Sequence, residues 1–259
     1  MDLQLKDKVI IVTGGAKGIG KGIVDILIKE KALPVIVGHN ESDNLNAIHS
    51  IEVAGGNAWQ ILAELSKPED CRKAVDDTLN KFGRIDGLVN NAGVNDGVGL
   101  EHGDYSRFMT SLHRNLTHYY LMAHHSLGAL KHSKGSIVNI TSKTAETGQG
   151  NTSGYAAANG GRNSLTREWA VELAKYSIRV NAVEVAECYT PLYEKWVQTL
   201  SNPEKKIAEI CARIPFEQRF TTVEEIANMV VFLLSSASSH TTGQIIHVDG
   251  GYVHLDRAM

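Results

Sequence analysis

A serine and a tyrosine thirteen residues apart are the side chains of this sequence best suited to chemistry on an alcohol or a carbonyl. Ser142 follows a run of β-branched residues, and Tyr155 stands at the start of a segment with helical periodicity. Removing a hydride from an alcohol carbon requires that the hydroxyl proton leave as well, so one residue must act as a base near neutral pH. We predict Tyr155 as this base and Ser142 as the hydrogen-bond donor that holds the substrate oxygen.

A glycine-rich turn near the N-terminus predicts a dinucleotide site. The first apolar strand runs directly into Thr13-Gly14-Gly15-Ala16-Lys17-Gly18-Ile19-Gly20, and a helical pattern follows. Such a turn lets the backbone approach a pyrophosphate, whose charge is met by free N–H groups and by the helix dipole. The alternative is a turn needed only for close helix packing. The candidate cofactor ligands here are Gly14, Lys17, Gly18, Ile19 and Gly20.

The end of the second predicted strand indicates which dinucleotide binds. An acidic residue there would accept hydrogen bonds from the ribose hydroxyls of NAD and repel a 2′-phosphate. The sequence has Val37-Gly38-His39-Asn40 instead, and Lys17 adds a cation in the glycine turn. A 2′-phosphate would meet a cation and no carboxylate, which favours NADP over NAD unless Lys17 is only a solvated surface charge.

The elements that must position these residues alternate between short apolar strands and longer helical segments. Strands are predicted near 8–13, 34–38, 57–62, 85–90, 136–141, 178–184 and 244–248, and helices near 18–31, 67–82, 104–132, 154–175 and 223–235. Continuously apolar strands indicate a parallel sheet with helices on both faces. We expect one α/β domain over 1–259, doubly wound, with 186–221 as a candidate lid over the site.

Composition and charge narrow the class of protein. The 259 residues are 42% hydrophobic and carry a net charge of −3 without a long run of one sign, so neither nucleic acid nor a membrane is an expected partner. Three scattered cysteines and the absence of an export pattern favour the cytoplasm.

The eleven histidines show no metal-ligand spacing, and no catalytic metal is expected. Glu184, in an apolar strand, is expected to face the cleft or to pair with a cation.

Together, the motifs resemble those of the short-chain dehydrogenase/reductase family. They are the 13–20 turn, Asn90-Asn91-Ala92-Gly93 after a strand, Asn115, the pair of Ser142 and Tyr155, and Val248-Asp249-Gly250-Gly251. Their joint spacing covers nearly the whole chain and is more specific than any one motif. The resemblance implies a Rossmann fold with strand order 3-2-1-4-5-6-7, NADP or NAD as cofactor, and a homotetramer.

The resemblance also implies roles for further residues. Asn115 would help to seat a water in a proton relay, Glu64 would accept a hydrogen bond from the adenine amino group, and Thr190 would contact the nicotinamide carboxamide. The predicted cofactor-binding set is completed by His39, Asn40, Leu65, Asn91, Ala92, Gly93, Tyr155 and Asn159.

One position departs from the family pattern. The family has a lysine one helical turn after the tyrosine, and its charge lowers the pKa of a hydroxyl that ordinarily titrates near pH 10; this chain has Asn159. A unit charge about 5 Å away, at an effective dielectric constant near 20, contributes roughly 3 kcal/mol, or about two pKa units. The neutral amide of Asn159 cannot supply that field, although it is expected to bond the nicotinamide ribose from the same helix face as Tyr155.

Three outcomes follow: a binding protein without turnover, an enzyme that works best at higher pH, or an enzyme whose cation comes from elsewhere. For the third, we predict that either Lys143, directly after Ser142, or the oxidised nicotinamide partly replaces the missing charge. The alternative is that Lys143 is an exposed lysine at a strand end. Arg162 continues the stripe of Tyr155 and Asn159 but lies two turns from Tyr155, so a direct action is less expected of it.

Polar residues near the predicted nicotinamide site indicate a hydroxyl-rich substrate. Besides Ser142 and Tyr155, the expected substrate contacts are Asn95, Glu146, Gln149, Asn151 and Glu187. An acyl or steroid pocket would have apolar walls, whereas buried polar groups need partners, so we predict a sugar or polyol. The alternative is that these side chains face solvent on loops.

A narrower resemblance favours the same substrate class. The segments 90–100, 147–155, 165–170, 239–243 and 249–258 are similar to those of bacterial L-fucose dehydrogenases of this family. This similarity implies oxidation of an aldose at C1 to its lactone. The competing interpretations are a dinucleotide-binding protein that lost turnover through Asn159 and a carbonyl reductase on a non-sugar ketone.

Overall fold

Seven strands form one parallel sheet in the computed structural model, which describes residues 2–256. The strands are β1 (Val9–Thr13), β2 (Leu33–Gly38), β3 (Trp59–Leu62), β4 (Gly87–Asn90), β5 (Ser136–Ser142), β6 (Arg179–Val185) and β7 (Ile245–Val248). Their order is β3-β2-β1-β4-β5-β6-β7, and every neighbouring pair is parallel. The predicted sheet and strand order are confirmed.

Helices connect these strands and cover both faces of the sheet. They are α1 (Gly18–Lys29), α2 (Glu41–Val53), α3 (Pro68–Phe82), α4 (Tyr105–Leu112), α5 (His118–Ser133), α6 (Ser153–Ala174), α7 (Pro191–Gln198), α8 (Pro203–Cys211) and α9 (Val223–Leu234). The predicted helix near 104–132 is divided by a π-helical turn at His113–Thr117. Among the helices of residues 2–256, none is both long and apolar enough to cross a membrane.

Three helices were not predicted from the sequence. α2 has little apolar periodicity, because its buried face consists of Asn44, Ala47 and Ile51. Its start is defined by Asn40, whose side chain accepts a hydrogen bond of 2.9 Å from the backbone N–H of Asp43. α7 and α8 are short helices inside 186–221, the segment that breaks the strand and helix rhythm.

The core consists of two apolar layers, one on each side of the sheet. α1 and α9 contribute Ile23, Leu27 and Val230 to one layer, and α3, α5 and α6 cover the other. All five residues of β1 are buried, as expected for a strand covered on both faces.

The topology brings the predicted site residues to one edge of the sheet. β1 pairs with β2 on one side and with β4 on the other, so the connections after β1 and β4 run in opposite directions and leave a crevice between them. The glycine turn follows β1, Asn91 follows β4, Ser142 ends β5 and Glu187 follows β6.

Candidate active site

The turn between β1 and α1 leaves room for a phosphate group. Gly14 and Gly18 have φ values of +65° and +53°, which favour glycine, and a Cβ on Gly20 would lie only 2.1 Å from the Gly14 carbonyl oxygen. α1 begins at Gly18, so the free N–H groups and the positive dipole end of that helix adjoin the turn. This cradle fits the pyrophosphate of NAD(P).

Hydrogen bonds hold the 90–93 motif against the glycine turn. The Thr13 hydroxyl accepts from the backbone N–H groups of Asn91 at 2.8 Å and Ala92 at 3.1 Å. The Asn91 side-chain amide donates to the carbonyls of Thr13 at 2.9 Å and Gly14 at 3.3 Å. The carboxyl ends of the neighbouring strands β1 and β4 therefore form one connected floor of the site.

A cleft of about 800 Å³ runs over this floor. It brings together most of the predicted cofactor residues and the predicted catalytic pair: Gly14, Lys17, Gly18, Ile19, His39, Glu64, Leu65, Asn91, Ala92, Gly93, Ser142, Tyr155 and Thr190. The cleft is also lined by polar residues that were not predicted to belong to the site, namely Ser66, Arg114, His118, Thr141, Arg162 and Lys195.

Glu64 and Thr190, the residues predicted to contact the adenine and the nicotinamide of a dinucleotide, both line the cleft. Partial burial raises the pKa of Glu64, but hydrogen bonds from the Ser66 hydroxyl and N–H outweigh it and give a net lowering, so the carboxylate stays ionised. The Thr190 side chain lies against the glycine turn, 3.5 Å from the position of a Cβ on Gly18. The 186–221 segment thus contacts the glycine turn.

Lys17 has a carboxylate partner that sequence analysis did not foresee. Its Nζ lies 2.6 Å from Asp43 Oδ1, in the first turn of α2. The expectation that a 2′-phosphate would meet a cation and no carboxylate is therefore wrong. It failed because α2, which carries Asp43, was not predicted.

Asn115 lies buried in the π-helical turn and fixes the loop after β4. Its Oδ1 accepts a hydrogen bond of 2.8 Å from the N–H of Val94, and its Nδ2 donates to the Ser111 carbonyl at 3.0 Å. Its own carbonyl accepts a hydrogen bond of 2.6 Å from Arg162 Nε. The backbone carbonyl of Asn115, the residue predicted to seat a water in a proton relay, is therefore hydrogen-bonded to the Arg162 guanidinium.

Asn159 is fully buried beneath the cleft, and its amide is bonded within the protein. Nδ2 donates to the Tyr155 carbonyl at 2.9 Å and to Thr144 Oγ1 at 3.4 Å, while Oδ1 accepts from Arg162 Nη1 at 2.9 Å. An amide offers two donors and one accepting oxygen atom, and each has a partner here. The expected contact of Asn159 with the nicotinamide ribose therefore lacks a free donor in this arrangement.

Lys143 is buried but is not a free cation. Its ammonium is ion-paired with the Glu187 carboxylate and lies 4.0 Å from the centroid of the Tyr252 ring. Glu187 also accepts a hydrogen bond of 2.9 Å from the Tyr193 hydroxyl. The carboxylate offsets the lysine charge, which argues against the expectation that Lys143 replaces the missing family lysine.

Arg162 places a positive charge in the wall of the cleft that Tyr155 also lines. It is 3% exposed, donates to the Asn115 carbonyl and to Asn159, and lines the cleft. Its Nη2 has no hydrogen-bond partner among residues 2–256 and would lie 2.9 Å from a Cβ on Gly93. Its partners within that range are neutral acceptors, so no paired carboxylate offsets its charge there.

Counting helical turns left the reach of the Arg162 side chain out of account. The backbone of residue 162 is two turns from Tyr155, but the long side chain reaches back toward the start of α6, where it contacts Asn159. The informative signal in the sequence was the spacing of Asn159 and Arg162, which are three residues apart on one helix face.

His118 adds a neutral imidazole to the cleft wall. Complete burial lowers its pKa to about 3, and the positive charge of Arg162 acts in the same direction. Its Nε2 lies 3.1 Å from the Arg114 carbonyl oxygen, which is consistent with an N–H donor at that position. The ring therefore adds no second positive charge beside Arg162 at neutral pH.

The residues expected to contact the substrate fall into two groups. Asn95, Gln149 and Asn151 are exposed on the loops after β4 and β5. Glu146 and Glu187 instead lie near cations or imidazoles, since Glu146 Oε2 is 3.6 Å from His247 Nε2 and Glu187 pairs with Lys143. None of the five is among the side chains that line the described cleft.

Comparison with known proteins finds relatives over almost the whole chain. A family model described as Enoyl-(Acyl carrier protein) reductase matches residues 14–253. The reductase FabG of Thermotoga maritima, which acts on 3-oxoacyl-acyl-carrier-protein, is 34% identical over 97% of this chain and 100% of its own length. An L-fucose dehydrogenase of Bos taurus is 31% identical over 97% of this chain and 91% of its own length.

Solved structures share the fold closely. A structure of Cj0485 dehydrogenase has a TM-score of 0.94 and 46% identity, covering 100% of this chain and 99% of its own. Levodione reductase has a TM-score of 0.92 and 31% identity over 98% of this chain and 100% of its own. The aldohexose dehydrogenase of Thermoplasma acidophilum has a TM-score of 0.90 and 28% identity over 100% of this chain and 99% of its own.

Proposed function

The chain belongs to the short-chain dehydrogenase/reductase family of NAD(P)-dependent oxidoreductases, and on that premise we propose that it oxidises an aldose such as L-fucose at C1 to the lactone. The observation that carries the proposal is that Tyr155, Ser142 and the glycine turn line one cleft, with the Arg162 guanidinium in its wall. This arrangement favours an active enzyme over the alternative of a binding protein that has lost turnover.

The chain's own residues would bind the cofactor in three places. The cradle of Gly14 and Gly18 would hold the pyrophosphate, Glu64 the adenine amino group and Thr190 the carboxamide of the nicotinamide. When bound, NAD(P) supplies the hydride acceptor for the oxidation. Asn91 fixes the turn through hydrogen bonds from its side-chain amide to the carbonyls of Thr13, at the end of β1, and Gly14, in the turn.

Proton removal would be the task of Tyr155. Ser142 donates a hydrogen bond to the substrate oxygen, and the Tyr155 phenolate takes the hydroxyl proton as the carbonyl forms. A phenolate needs a positive charge nearby, and Arg162 supplies it in place of the family lysine. The Arg162 guanidinium lines the same cleft as Tyr155, and its hydrogen-bond partners among residues 2–256 are neutral, so no carboxylate there offsets its charge.

The sugar assignment draws on the relatives and on the polar rim of the site. Two proteins with similar chains are an L-fucose dehydrogenase and an aldohexose dehydrogenase. The ion pair of Lys143 and Glu187 and the loop residues Asn95, Gln149 and Asn151 are not part of the cleft lining, so they would meet a substrate with many hydroxyls only where it extends beyond the cleft. A second candidate, reduction of a non-sugar ketone, is favoured by the likeness to FabG and to levodione reductase.

Of the two cofactors NADP and NAD, we propose NADP. β2 ends at Gly38 and is followed by His39 and Asn40, so the end of this strand has no carboxylate that would repel a phosphate on the ribose. Lys17, on the rim of the cleft, is the cation for that phosphate. Because Asp43 already binds Lys17, the phosphate must compete with a carboxylate, and the preference for NADP is expected to be moderate.

Several wider expectations accompany this function. We propose that 1–259 acts as one domain, with 186–221 as a lid that closes over the cleft; the part of it that lines the cleft includes Thr190 and Lys195. A homotetramer is supported by exposed apolar side chains on the two long helices, Tyr120 on α5 and Val171 on α6. The three free cysteines, Cys71, Cys188 and Cys211, suit the cytoplasm.

The test is absorbance at 340 nm with NADP or NAD and a panel of aldoses, polyols and apolar ketones between pH 7 and 10. We expect oxidation of one or more aldoses, with L-fucose among them, and at least a 100-fold loss of kcat in Tyr155→Phe with cofactor binding retained. Clear cofactor binding without turnover of any substrate would favour the binding protein. Turnover of ketones alone would favour the second candidate.

A further inference from the structure

A cluster of two glutamates and two histidines lies beside the segment that joins Ser142 to Tyr155. We propose that Glu146, Glu184, His247 and His254 bind one divalent transition-metal ion, zinc by preference. The proposal is independent of the substrate and of the cofactor. The sequence-based expectation concerned a catalytic metal and rested on the absence of metal-ligand spacing along the chain, whereas the ion proposed here is structural.

The sheet brings two of these residues together. Glu184 on β6 pairs in register with His247 on β7, and its other neighbour is Thr141 on β5, so the three lie side by side in adjacent strands. Side chains at one register position point to the same face of a parallel sheet. Glu184 and His247 therefore approach each other although they are 63 residues apart in the sequence.

The other two residues come from turns at the same end of the sheet. Glu146 directly follows the 3₁₀ turn Lys143–Ala145, which begins where β5 ends. His254 follows the turn after β7, in which the buried Asp249 carboxylate accepts hydrogen bonds from the N–H groups of Gly251 at 2.8 Å and Val253 at 2.9 Å. The rings of His247 and His254 are in contact, with centroids 4.4 Å apart.

The distances between the ligand atoms suit a metal ion. His247 Nε2 lies 3.4 Å from Glu184 Oε1 and 3.6 Å from Glu146 Oε2, and His254 Nε2 lies 4.0 Å from Glu146 Oε2. Ligands at 2.0–2.2 Å from a tetrahedral zinc are about 3.4 Å from one another. Two of the three distances match this value, and a small rotation of the exposed His254 side chain corrects the third.

Two buried atoms of the cluster have no hydrogen-bond partner among residues 2–256. Glu184 is 0% exposed; its Oε2 accepts from Asn163 Nδ2 at 2.9 Å, but its Oε1 has no partner. His247 Nε2 is the second such atom. Buried polar atoms are normally bonded, and an isolated buried carboxylate is costly, so a cation held between these two atoms would satisfy both.

The donor set selects the class of metal. Two imidazole nitrogens with two carboxylate oxygens suit zinc and its transition-metal neighbours, whereas magnesium and calcium prefer ligand sets made of oxygen alone. The two carboxylates also offset the ionic charge. The competing arrangement is a protonated His247 that bridges the carboxylates without any metal.

The ion would act on the fold and not on the hydride. It would join β6, β7 and the turn that carries His254 to the loop between Ser142 and Tyr155. With protein ligands at four positions, no coordination site is left for the substrate. We therefore expect zinc to raise the stability of the enzyme and to hold that loop in place.

The experiment uses the full chain without an affinity tag, stripped with a chelator and then dialysed against Zn²⁺ or Mg²⁺. We expect one zinc per chain and a Tm increase of about 5–10 °C at a free zinc concentration a hundredfold above Kd. Magnesium is expected to leave the Tm unchanged. Both readouts are independent of catalytic activity, so they test the metal even if the proposed sugar oxidation fails.

Variants distinguish zinc binding at the proposed site from adventitious zinc binding by surface histidines. His254→Ala and Glu146→Gln remove ligands at the surface, where the fold tolerates change, and each is expected to weaken zinc binding at least tenfold. His240→Ala, which removes an exposed histidine outside the cluster, is the matched control and should bind zinc like the parent protein. The proposal is overturned if zinc fails to bind stoichiometrically, as a bridging protonated His247 predicts, or if the cluster variants bind zinc as well as the control does.

Discussion

Arg162 Nη1 donates a hydrogen bond of 2.9 Å to Asn159 Oδ1, from the next turn of α6. Asn159 in turn donates from Nδ2 to the Tyr155 carbonyl, so the three residues form one connected chain along the helix. A lysine at position 159 has no acceptor for the guanidinium and would place a second cation beside it. Asparagine at 159 and arginine at 162 therefore belong together, and the site is organised around the arginine.

Removing the guanidinium should impair catalysis and shift its pH dependence. Arg162→Met is expected to lower kcat at pH 7 by about 100-fold and to move the rise of the rate to higher pH, because the cleft wall loses a cation that would favour proton removal. Arg162→Lys, which keeps a charge, should retain more activity. The measurement is kcat against pH from 6 to 10.

A matched control for this series lies on the same helix. Arg167 on α6 is exposed, so Arg167→Met removes an equal charge from outside the cleft and should leave the pH profile unchanged. Cofactor affinity and Tm are measured for each variant, so that misfolded protein is recognised. An Arg162→Met enzyme that is folded and works at the parental rate at pH 7 would show that the guanidinium has no part in proton removal.

Restoring the family lysine alone should harm this enzyme. Asn159→Lys sets an ammonium against the buried guanidinium of Arg162 and removes the acceptor that orients it, so we expect a loss of kcat and of Tm. The double variant Asn159→Lys/Arg162→Met has one cation again and should be at least ten times more active than Asn159→Lys. A single Asn159→Lys variant that outperforms the parent would refute the coupling.

The buried pair of Lys143 and Glu187 should act on the substrate without affecting the pH profile. Its charges offset each other, so the double variant Lys143→Met/Glu187→Gln removes no net charge from the site. We expect a several-fold rise in KM for the sugar and an unchanged pH dependence of kcat. If the pH profile shifted upward in this variant, Lys143 would be a catalytic cation after all.

The choice of cofactor should depend on the contact between Lys17 and Asp43. Asp43→Asn frees the Lys17 ammonium for a 2′-phosphate and is expected to raise the ratio of kcat/KM with NADP to that with NAD several-fold. Lys17→Met should lower the same ratio by about tenfold, because a charge-assisted contact is lost. A parent protein that prefers NAD tenfold would contradict the proposed assignment.

The sequence contained the local features of the site but not the contacts made by side chains across elements. Gly14, Gly18 and Tyr155 could be identified because their residue types and their order along the chain limit what they can do. Asp43 could not be foreseen, since its helix buries Asn44 on its inner face and lacks the apolar periodicity that predicts helices. The contacts of Arg162 could not be predicted for a different reason. They depend on how far its side chain reaches, and not on the position of its backbone.

The cluster of Glu146, Glu184, His247 and His254 illustrates the same limit at longer range. Its members lie in two strands and two turns, and only the register of β6 with β7 brings Glu184 beside His247. No spacing in the sequence indicates that pairing. The sequence indicated that Glu184, in an apolar strand, needs a partner, but it did not indicate that this partner is His247.

Buried His118 should make the protein sensitive to acid. Its pKa is lowered to about 3 by complete burial and by the charge of Arg162, whereas an unfolded histidine titrates near pH 6.5. Between these pH values the unfolded chain binds a proton that the folded chain excludes, so the free energy of unfolding falls as the pH falls. His118→Gln, which keeps a donor for the Arg114 carbonyl, should reduce that slope by up to about 1.4 kcal/mol per pH unit. The measurement is urea unfolding at pH 7, 6, 5 and 4, with the exposed His132→Gln as the control; equal slopes in both variants would show that His118 takes up its proton without unfolding.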